Sequence, residues 1–221
     1  MTLQLYMFPT LNAHKVTIAL EEMGLPYEPV FVDILNGGQE DQAFLGINPN
    51  GKIPALVDPD APGGAVTVFE SAAILQYLGR KTGQFYPAEE QVRTQIDSWL
   101  FWQMAGLGPS SGNMNWFTRA AAKPGRDPQE TSLAIHRFKV ETARLFGVLE
   151  RQLGTRDYLC GAYSIADMCC WTWVNKCPDN GGGLAAFPAL AAWHARIAGR
   201  PAVQRALTAG SEFLPAQPAK D

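Results

Sequence analysis

Segment 50–56, with the sequence NGKIPAL, could bind the backbone of a peptide-like ligand. It enters a predicted strand through the Ile53-Pro54 bond, and proline belongs at the start or the edge of a strand because it lacks a ladder donor. A cis bond would turn the N–H and C=O groups before the proline outward, where an extended ligand can pair with them as an added strand. A trans strand start is the ordinary alternative, and the flanking elements favour the cis form.

Glu70 and Ser71 form a second candidate binding segment, about 16 residues after Pro54 and between a predicted strand and a predicted helix. The N–H groups and the positive dipole end of a helix attract a carboxylate. The Glu70 carboxylate could pair with an ammonium group. Together the two residues match the charges of an amino-acid head group, whereas simple N-capping by Ser71 is the structural alternative.

Thr10 and Asn12 precede the first predicted helix and could lower the pKa of a bound thiol. A free thiol has a pKa of about 8.5, and donors or a helix N-terminus favour its thiolate form. Both residue types are also common in turns and caps, which is the structural alternative for them. Tyr6 lies inside the first strand and is interpreted as structural. His14, beside Lys15 in the helix, is expected at the surface or at an interface.

The elements that must position these residues follow the order β-α-β-α-β-β-α. Apolar residues at helical spacing and turn-forming residues mark where each element begins and ends. Strands are predicted over 3–8, 27–33, 53–58 and 65–69, and helices over 14–23, about 39–45 and 71–81. Because a helix connects the first two strands, we expect them to form a parallel pair.

After residue 83 the patterns predict helices alone. The first runs over 89–107 and is broken by Gly106, Gly108 and Pro109. Asp127 and Ser164 are expected to cap later helices that reach about 153 and 176, and further helices begin near 187 and 200. We therefore predict a domain over 1–83, a linker over 84–90, an all-helical domain over 91–209 and a loose tail over 210–221.

Composition and charge exclude several classes of protein. The chain has 221 residues, 47% hydrophobic and 18% charged, which is ordinary for globular domains and argues against disorder. Its net charge of −3 argues against a nucleic-acid partner. No apolar run approaches the roughly 20 residues that span a bilayer, so no membrane partner is expected. The N-terminus lacks the pattern of a signal peptide, so the expected location is the cytoplasm.

The cysteines Cys160, Cys169, Cys170 and Cys177 also fit a reducing compartment. They form no C-x-x-C pair, so neither a metal site nor a dithiol redox motif is expected. The ordinary interpretation is that they are small buried residues.

The order of these motifs resembles the cytosolic glutathione S-transferase family over nearly the whole chain. The motifs are NGKIPA at 50–55, FESAAI at 69–74 and SIAD at 164–167. Longer blocks are similar to the bacterial Nu class, whose members are glutathione-dependent disulfide-bond reductases: PTLNAHK at 9–15, GGQ at 37–39, WLFWQ at 99–103 and GLGP at 106–109. The resemblance implies an α+β thioredoxin-like domain followed by an all-helical bundle.

The resemblance also implies how glutathione, the co-substrate, would bind. The Ile53 backbone would pair with its cysteinyl part. Glu70 and Ser71 would hold its γ-glutamyl end. Gln39 and Lys52 would lie near its glycine end.

The same resemblance implies a catalytic group at the glutathione sulfur. Thr10 and Asn12 would lie beside the sulfur, and Arg137 would reach the site from the helical domain. A glutathione thiolate would attack a small disulfide, and oxidised glutathione would leave. The chain would form a homodimer.

Two alternatives remain open at this point. The same thiolate could be conjugated to an electrophile or could reduce a hydroperoxide. The fold could also serve as a non-catalytic ligand-binding scaffold.

Overall fold

A mixed four-stranded sheet forms the centre of the first part of the chain. The computed structural model describes residues 2–125, 127–176 and 183–214. The strands of the sheet are β1 (Leu3–Met7), β2 (Tyr27–Phe31), β3 (Ala55–Asp58) and β4 (Val66–Phe69). They lie side by side in the order β2-β1-β3-β4. β1 and β2 are parallel, which confirms the predicted pair, and β3 is antiparallel to both of its neighbours.

Along the chain, three helices alternate with these strands: α1 (Leu11–Met23), α2 (Gln42–Leu45) and α3 (Ser71–Thr82). α1 begins three residues before its predicted start, and it ends at Gly24, whose φ of 64° suits glycine. The predicted inward residues of α3, Ile74, Leu75 and Leu78, are fully buried. The fold of this part is the predicted βαβαββα arrangement.

The second part of the chain is helical, as predicted. Its helices are α4 (Glu90–Trp102), α5 (Gly108–Ala121), α6 (Pro128–Leu153), α7 (Ile165–Asn175) and α8 (Pro188–Ala198). The expected break near Pro109 is a change of helix type, since a π-helical turn over Gln103–Leu107 leads directly into α5. Pro109 is accommodated because the first turn of a helix does not need its N–H. None of the described helices has the length and apolar character that crossing a membrane requires.

Both predicted caps of this helical part are present. Asp127 accepts a hydrogen bond from the Gln129 N–H at 2.9 Å at the start of α6. Ser164 opens α7 in a capping box with Asp167. The buried Asp167 carboxylate also accepts from the Leu159 N–H at 3.0 Å and from the Trp193 indole at 2.9 Å. Burial raises the pKa of Asp167 to about 6.

The chain divides into two compact units. The first comprises Met1–Tyr86 and the chain from Gly199 onward, and the second is Pro87–Ala198. The last helix, α9 (Pro201–Thr208), therefore belongs with the sheet. Periodicity reveals an apolar face but not the element that covers it, so the sequence could not indicate this grouping. The domain boundaries proposed from the sequence stay predictions.

α9 contacts α1 through polar as well as apolar groups. The Thr17 hydroxyl donates to the Ala206 carbonyl at 3.1 Å. Arg200 donates to Glu22 at 2.5 Å and 2.8 Å, which anchors the chain just before α9. Beyond α9, Ser211–Phe213 form a 3-10 turn. The remainder of the predicted tail, residues 215–221, lies outside the described residues, as does Cys177.

His14, which was expected at the surface or at an interface, is half-buried on α1, and the neighbouring Lys15 lies deeper. Lys15 is completely buried. The Nδ1 atom of His14 is also buried and has no hydrogen-bond partner among the described residues. Burial lowers the pKa of His14, and a hydrogen bond to the backbone of Ala206 partly opposes that shift. α1 is covered by both α3 and α9, which explains why adjacent polar residues are buried.

We predict that the burial of His14 makes folding stability depend on pH. Because its pKa is lower in the folded state, its contribution is complete above the unfolded value of about 6.5 and is lost as the pH falls below that value. Urea titrations at pH 7.5 and 5.5 should therefore show a smaller acid-induced loss of unfolding free energy in His14→Gln than in the wild type. Burial also lowers the pKa of His194. Because His194 is present in both proteins, its contribution cancels in the comparison. Equal losses would contradict the prediction.

Candidate functional site

The sheet topology brings three chain segments to one edge of the first unit. Tyr6 in β1, Ala55 in β3 and Phe69 in β4 are neighbours in one row across the sheet. Because β3 is antiparallel to β1 and β4, its start lies beside the ends of the other two strands. The start of α1, the loop before β3 and the start of α3 therefore meet at this edge.

A pocket of about 180 Å³ lies among these segments. Its lining comprises Asn12, Asn48, Asn50, Lys52, Ile53, Pro54, Glu70 and Ser71. The first of these comes from α1, the middle five from the loop before β3, and the last two from the start of α3. The pocket thus combines amide groups, one cation, one carboxylate and a helix N-terminus.

Most of the residues predicted as a binding site are brought together here. Asn12, Lys52, Ile53, Glu70 and Ser71 all line the pocket, although they lie far apart in the sequence. This grouping is the one that the family resemblance implied. The roles of the individual residues toward a ligand stay predictions.

Three other predicted residues lie outside the pocket lining. The Thr10 hydroxyl accepts a hydrogen bond from the Ala13 N–H at 3.5 Å, so Thr10 is the N-cap of α1, which was its structural alternative. Gln39 lies in a 3-10 turn over Gly38–Glu40, and its Oε1 atom is buried without a hydrogen-bond partner among the described residues. Arg137 is exposed on α6 in the second unit, 3.7 Å from Glu141.

The loop before β3 is held by Asn48, which the sequence analysis treated only as part of a turn. Its side chain is buried, donates to the Lys52 carbonyl at 2.6 Å and accepts from the Asn50 N–H at 2.9 Å. An asparagine that bonds the backbone two residues on is a known turn signal and could have indicated this role. Gly51 completes the turn with a φ of 61°, and a side chain there would press on the Gln39 carbonyl.

The Ile53-Pro54 bond is cis, as the flanking elements favoured. The ladder between β1 and β3 begins at Ala55, so Ile53 precedes the paired part of the strand. Its backbone therefore lies at the pocket rather than inside the sheet.

Glu70 occupies an unusual backbone conformation beside the pocket. Its φ of 71° is rare for a residue other than glycine, and such a conformation costs about 1–3 kcal/mol. Its carbonyl accepts from the Ile74 N–H, which makes Glu70 rather than Ser71 the N-cap of α3, and its exposed side chain caps nothing. Simple capping by Ser71 is therefore wrong, and strain at a pocket indicates a functional constraint.

None of the cysteines in the described part of the chain lines this pocket. Cys169 and Cys170 are buried in the second unit, and the Cys169 thiol donates to Gln103 Oε1 at 3.2 Å. Burial raises the pKa of Cys160 to about 12, which keeps it protonated. Across the described part of the chain, no cluster of three or more histidine, cysteine or acidic side chains is arranged to hold a metal ion.

Comparison with known proteins assigns both parts of the chain to one family. Residues 1–80 match the N-terminal domain of glutathione S-transferase, and residues 116–209 match its C-terminal domain. The chain is 46% identical to the disulfide-bond oxidoreductase YfcG of Escherichia coli, over 93% of this chain and 94% of that protein. It is 36% identical to the disulfide-bond oxidoreductase YghU of the same organism, over 92% of this chain and 73% of that protein.

Solved structures give the same assignment. A glutathione transferase from Burkholderia graminis, with two glutathione molecules bound per subunit, is 39% identical with a TM-score of 0.87, covering 94% of this chain and 88% of that one. One from Pseudomonas putida, with one glutathione disulfide bound per subunit, is 38% identical with a TM-score of 0.85, covering 94% and 91%. Because both family models match and these relatives are similar over nearly the whole chain, this chain belongs to the glutathione S-transferase family.

Proposed function

We propose that this protein is a glutathione-dependent disulfide-bond reductase. The observation that carries the proposal is a pocket built for a peptide-like ligand in a thioredoxin-like unit that has no thiol among the pocket residues. The sulfur nucleophile must then belong to the ligand, and glutathione is a tripeptide that carries one. Relatives named disulfide-bond oxidoreductases, and similar structures that hold glutathione or its disulfide, support the same reaction.

Glutathione would lie along the pocket with its two ends in different electrostatic surroundings. The Glu70 carboxylate would pair with the α-ammonium of the γ-glutamyl group, and Ser71 with the N–H groups of α3 would hold its α-carboxylate. The Ile53 backbone would pair with the cysteinyl part as an added strand. Lys52, with Gln39 beside the same loop, would attract the glycine carboxylate.

The glutathione sulfur would lie at the start of α1. Asn12 lines the pocket there, and its side-chain amide can donate to a thiolate. Thr10 uses an oxygen lone pair toward the Ala13 N–H, which leaves its hydroxyl hydrogen available for donation to the sulfur. Donors and a helix N-terminus favour the thiolate form, which is the attacking species. We keep Arg137 as a proposed contributor from the helical domain.

The reaction is a pair of thiol–disulfide exchanges. The thiolate of one glutathione attacks a disulfide sulfur, the S–S bond breaks, and one substrate thiolate leaves. A second glutathione thiolate attacks the glutathione sulfur of the mixed disulfide and releases the other substrate thiolate. Two glutathione molecules are oxidised to one glutathione disulfide, and the substrate disulfide is reduced to two thiols.

Rates on three acceptors test the proposal directly. With glutathione held constant, a small dialkyl disulfide should be turned over faster than a hydroperoxide or a chlorinated aromatic compound. A faster reaction with either of the latter would favour the alternative chemistry of the family. Calorimetry that detects no glutathione binding would contradict the enzymatic proposal altogether.

We also propose the finer features that the resemblance implies: membership of the Nu class, a cytoplasmic location and a homodimer. The motif blocks of that class support the first. The free thiols of Cys160, Cys169 and Cys170 are in keeping with a reducing compartment.

We predict that Asn12→Ala lowers kcat/KM for the disulfide about 10- to 100-fold, because a hydrogen bond to a charged group contributes roughly 1.5–3 kcal/mol. Its unfolding midpoint should stay near that of the wild type. Asn36→Ala is the matched control, because Asn36 is an exposed asparagine of the same unit that donates to Asp33. Wild-type activity in Asn12→Ala would contradict the role of Asn12 at the sulfur.

We predict that Glu70→Gln weakens glutathione binding roughly tenfold, since a charge-assisted hydrogen bond is replaced by a neutral one. The effect should require the α-amino group of the ligand. Calorimetry with glutathione and with its deaminated glutaryl analogue measures this, and the analogue should bind both proteins equally. A parallel loss for the two ligands would instead indicate damage to the backbone at residue 70.

We predict that Asn48→Ala loosens the loop before β3 and lowers the free energy of unfolding by about 1–3 kcal/mol, because two hydrogen bonds between the buried Asn48 side chain and the backbone are lost. Hydrogen exchange at the Asn50 amide should accelerate selectively. Asn36→Ala again serves as the control and should leave that amide unchanged. Unaltered protection of Asn50 would show that the loop does not depend on Asn48.

A further inference from the structure

The turn that follows α9 packs against the residues that lead into the proposed sulfur site. This C-terminal turn comprises Gly210 and the 3-10 turn Ser211–Phe213. The Phe213 ring lies 4.8 Å from the ring of Phe31, at the end of β2, and the Phe31 ring lies 5.8 Å from that of Phe8. Both separations are typical of favourable aromatic pairs. The three rings therefore form a continuous row from the C-terminal turn to Phe8, the residue that follows β1.

Gly210 gives the C-terminal turn a second contact with the same stretch of chain. Its φ of 77° is a left-handed conformation that suits glycine. A Cβ atom at this position would lie 3.1 Å from Cε of Met7 and 3.3 Å from the Phe213 ring. The turn thus packs closely on the last residue of β1. Met7 and Phe8 are both buried, and they lead directly into the helix cap Thr10.

α9 fixes the C-terminal turn relative to α1. The Thr17 hydroxyl, in the middle of α1, donates to the Ala206 carbonyl at 3.1 Å. Farther along the two helices, Arg205 donates to Glu21 at 2.8 Å. Because α9 is bound to the body of α1 and the C-terminal turn is packed on the residues before α1, one segment supports the first turn of this helix from both directions.

The conformation of residues 8–10 depends on this packing. These residues lie between β1 and α1 in irregular structure, so side-chain contacts have to fix them. In the proposed function, Thr10 and Asn12 donate hydrogen bonds to the glutathione sulfur, and hydrogen bonds weaken steeply when their geometry departs from the optimum. A displacement of about 1 Å at a site of this kind can cost up to about 100-fold in rate.

We propose that Phe213 is a positioning residue for the glutathione sulfur. It acts through Phe31 and Phe8 on the start of α1, and it keeps the donors of Thr10 and Asn12 in the place where they hold the sulfur as a thiolate. The inference rests on the proposed function, which assigns the sulfur to this position. Phe213 is not among the pocket residues, so its effect is transmitted by packing.

The effect of Phe213 should be confined to the sulfur end of the ligand. The loop before β3 and the start of α3, which would hold the rest of the tripeptide, are separate segments of the chain. Their contribution to binding should therefore not depend on Phe213. This selectivity distinguishes a positioning role from a general contribution to the stability of the unit.

The pKa of the bound glutathione thiol tests the proposal, and the ultraviolet absorbance of the thiolate reports it as the pH is varied. In Phe213→Ala this pKa should rise by about one unit, which corresponds to the loss of one hydrogen bond to a charged group. Below the pKa of the bound thiol, kcat for the disulfide should fall about tenfold, and it should recover above the raised pKa because the thiolate is the attacking species. S-methylglutathione, which cannot ionise, should bind Phe213→Ala and the wild type equally.

Leu214→Ala is the matched control, because Leu214 is the next residue of the same segment and is 46% exposed. It should leave the thiol pKa and kcat unchanged. Phe213→Tyr keeps the ring and should behave as the wild type does. If Phe213→Ala does not fold, Phe213→Leu, which keeps apolar volume but removes the ring, must raise the thiol pKa in the same direction.

The outcomes separate the inference from the function on which it rests. An unchanged thiol pKa in the Phe213 variant overturns the inference, as does an equal loss of affinity for glutathione and S-methylglutathione. A thiol pKa that rises equally in Leu214→Ala also overturns it. Failure of the wild-type protein to bind glutathione refutes the proposed function, and the inference falls with it.

Discussion

The antiparallel placement of β3 between β1 and β4 is the constraint on which the site depends. It brings the end of β1, the start of β3 and the end of β4 to one edge of the sheet, with Tyr6, Ala55 and Phe69 in a single row. Two helix N-termini and one loop then face the same space. Without that arrangement, residues separated by tens of positions in the sequence would have no common pocket.

The pocket is built from two sets of residues: those that line it, and those that hold the lining residues in place. Asn12, Lys52, Glu70 and Ser71 present polar atoms to the pocket. Behind them, Asn48 holds the loop, and Lys15 contacts the hydroxyl of Ser71. The supporting side chains are buried, so water does not compete for their hydrogen bonds. These hydrogen bonds therefore hold the lining residues in one conformation.

The described cysteines all lie away from this edge of the sheet. None of the described cysteines lines the pocket. Cys169 and Cys170 are buried, and burial raises the pKa of Cys160 to about 12, so its thiol stays protonated. In the proposed thiol–disulfide exchange, the ligand supplies the sulfur nucleophile. The protein would then contribute position and thiolate stabilisation, which are the two quantities that limit such exchange.

Local patterns in the sequence determined the order of the elements, the caps at Asp127 and Ser164, and the two segments that form most of the pocket. They could do so because helix periodicity, turn residues and capping are interactions between near neighbours in the chain. The same patterns left the role of Thr10 open between the cap and the sulfur site, and they missed α5 because glycine and proline are ordinarily helix breakers.

Only the tertiary structure decided that α9 covers α1, that Asn48 holds the loop, and that Lys15 lies beneath Ser71. Each of these depends on burial against a distant segment, and 56 positions separate Lys15 from Ser71. A sequence shows which face of a helix is apolar, but it does not show what that face meets. The burial of Lys15 therefore becomes visible only in the folded structure, where α3 and α9 both pack against α1.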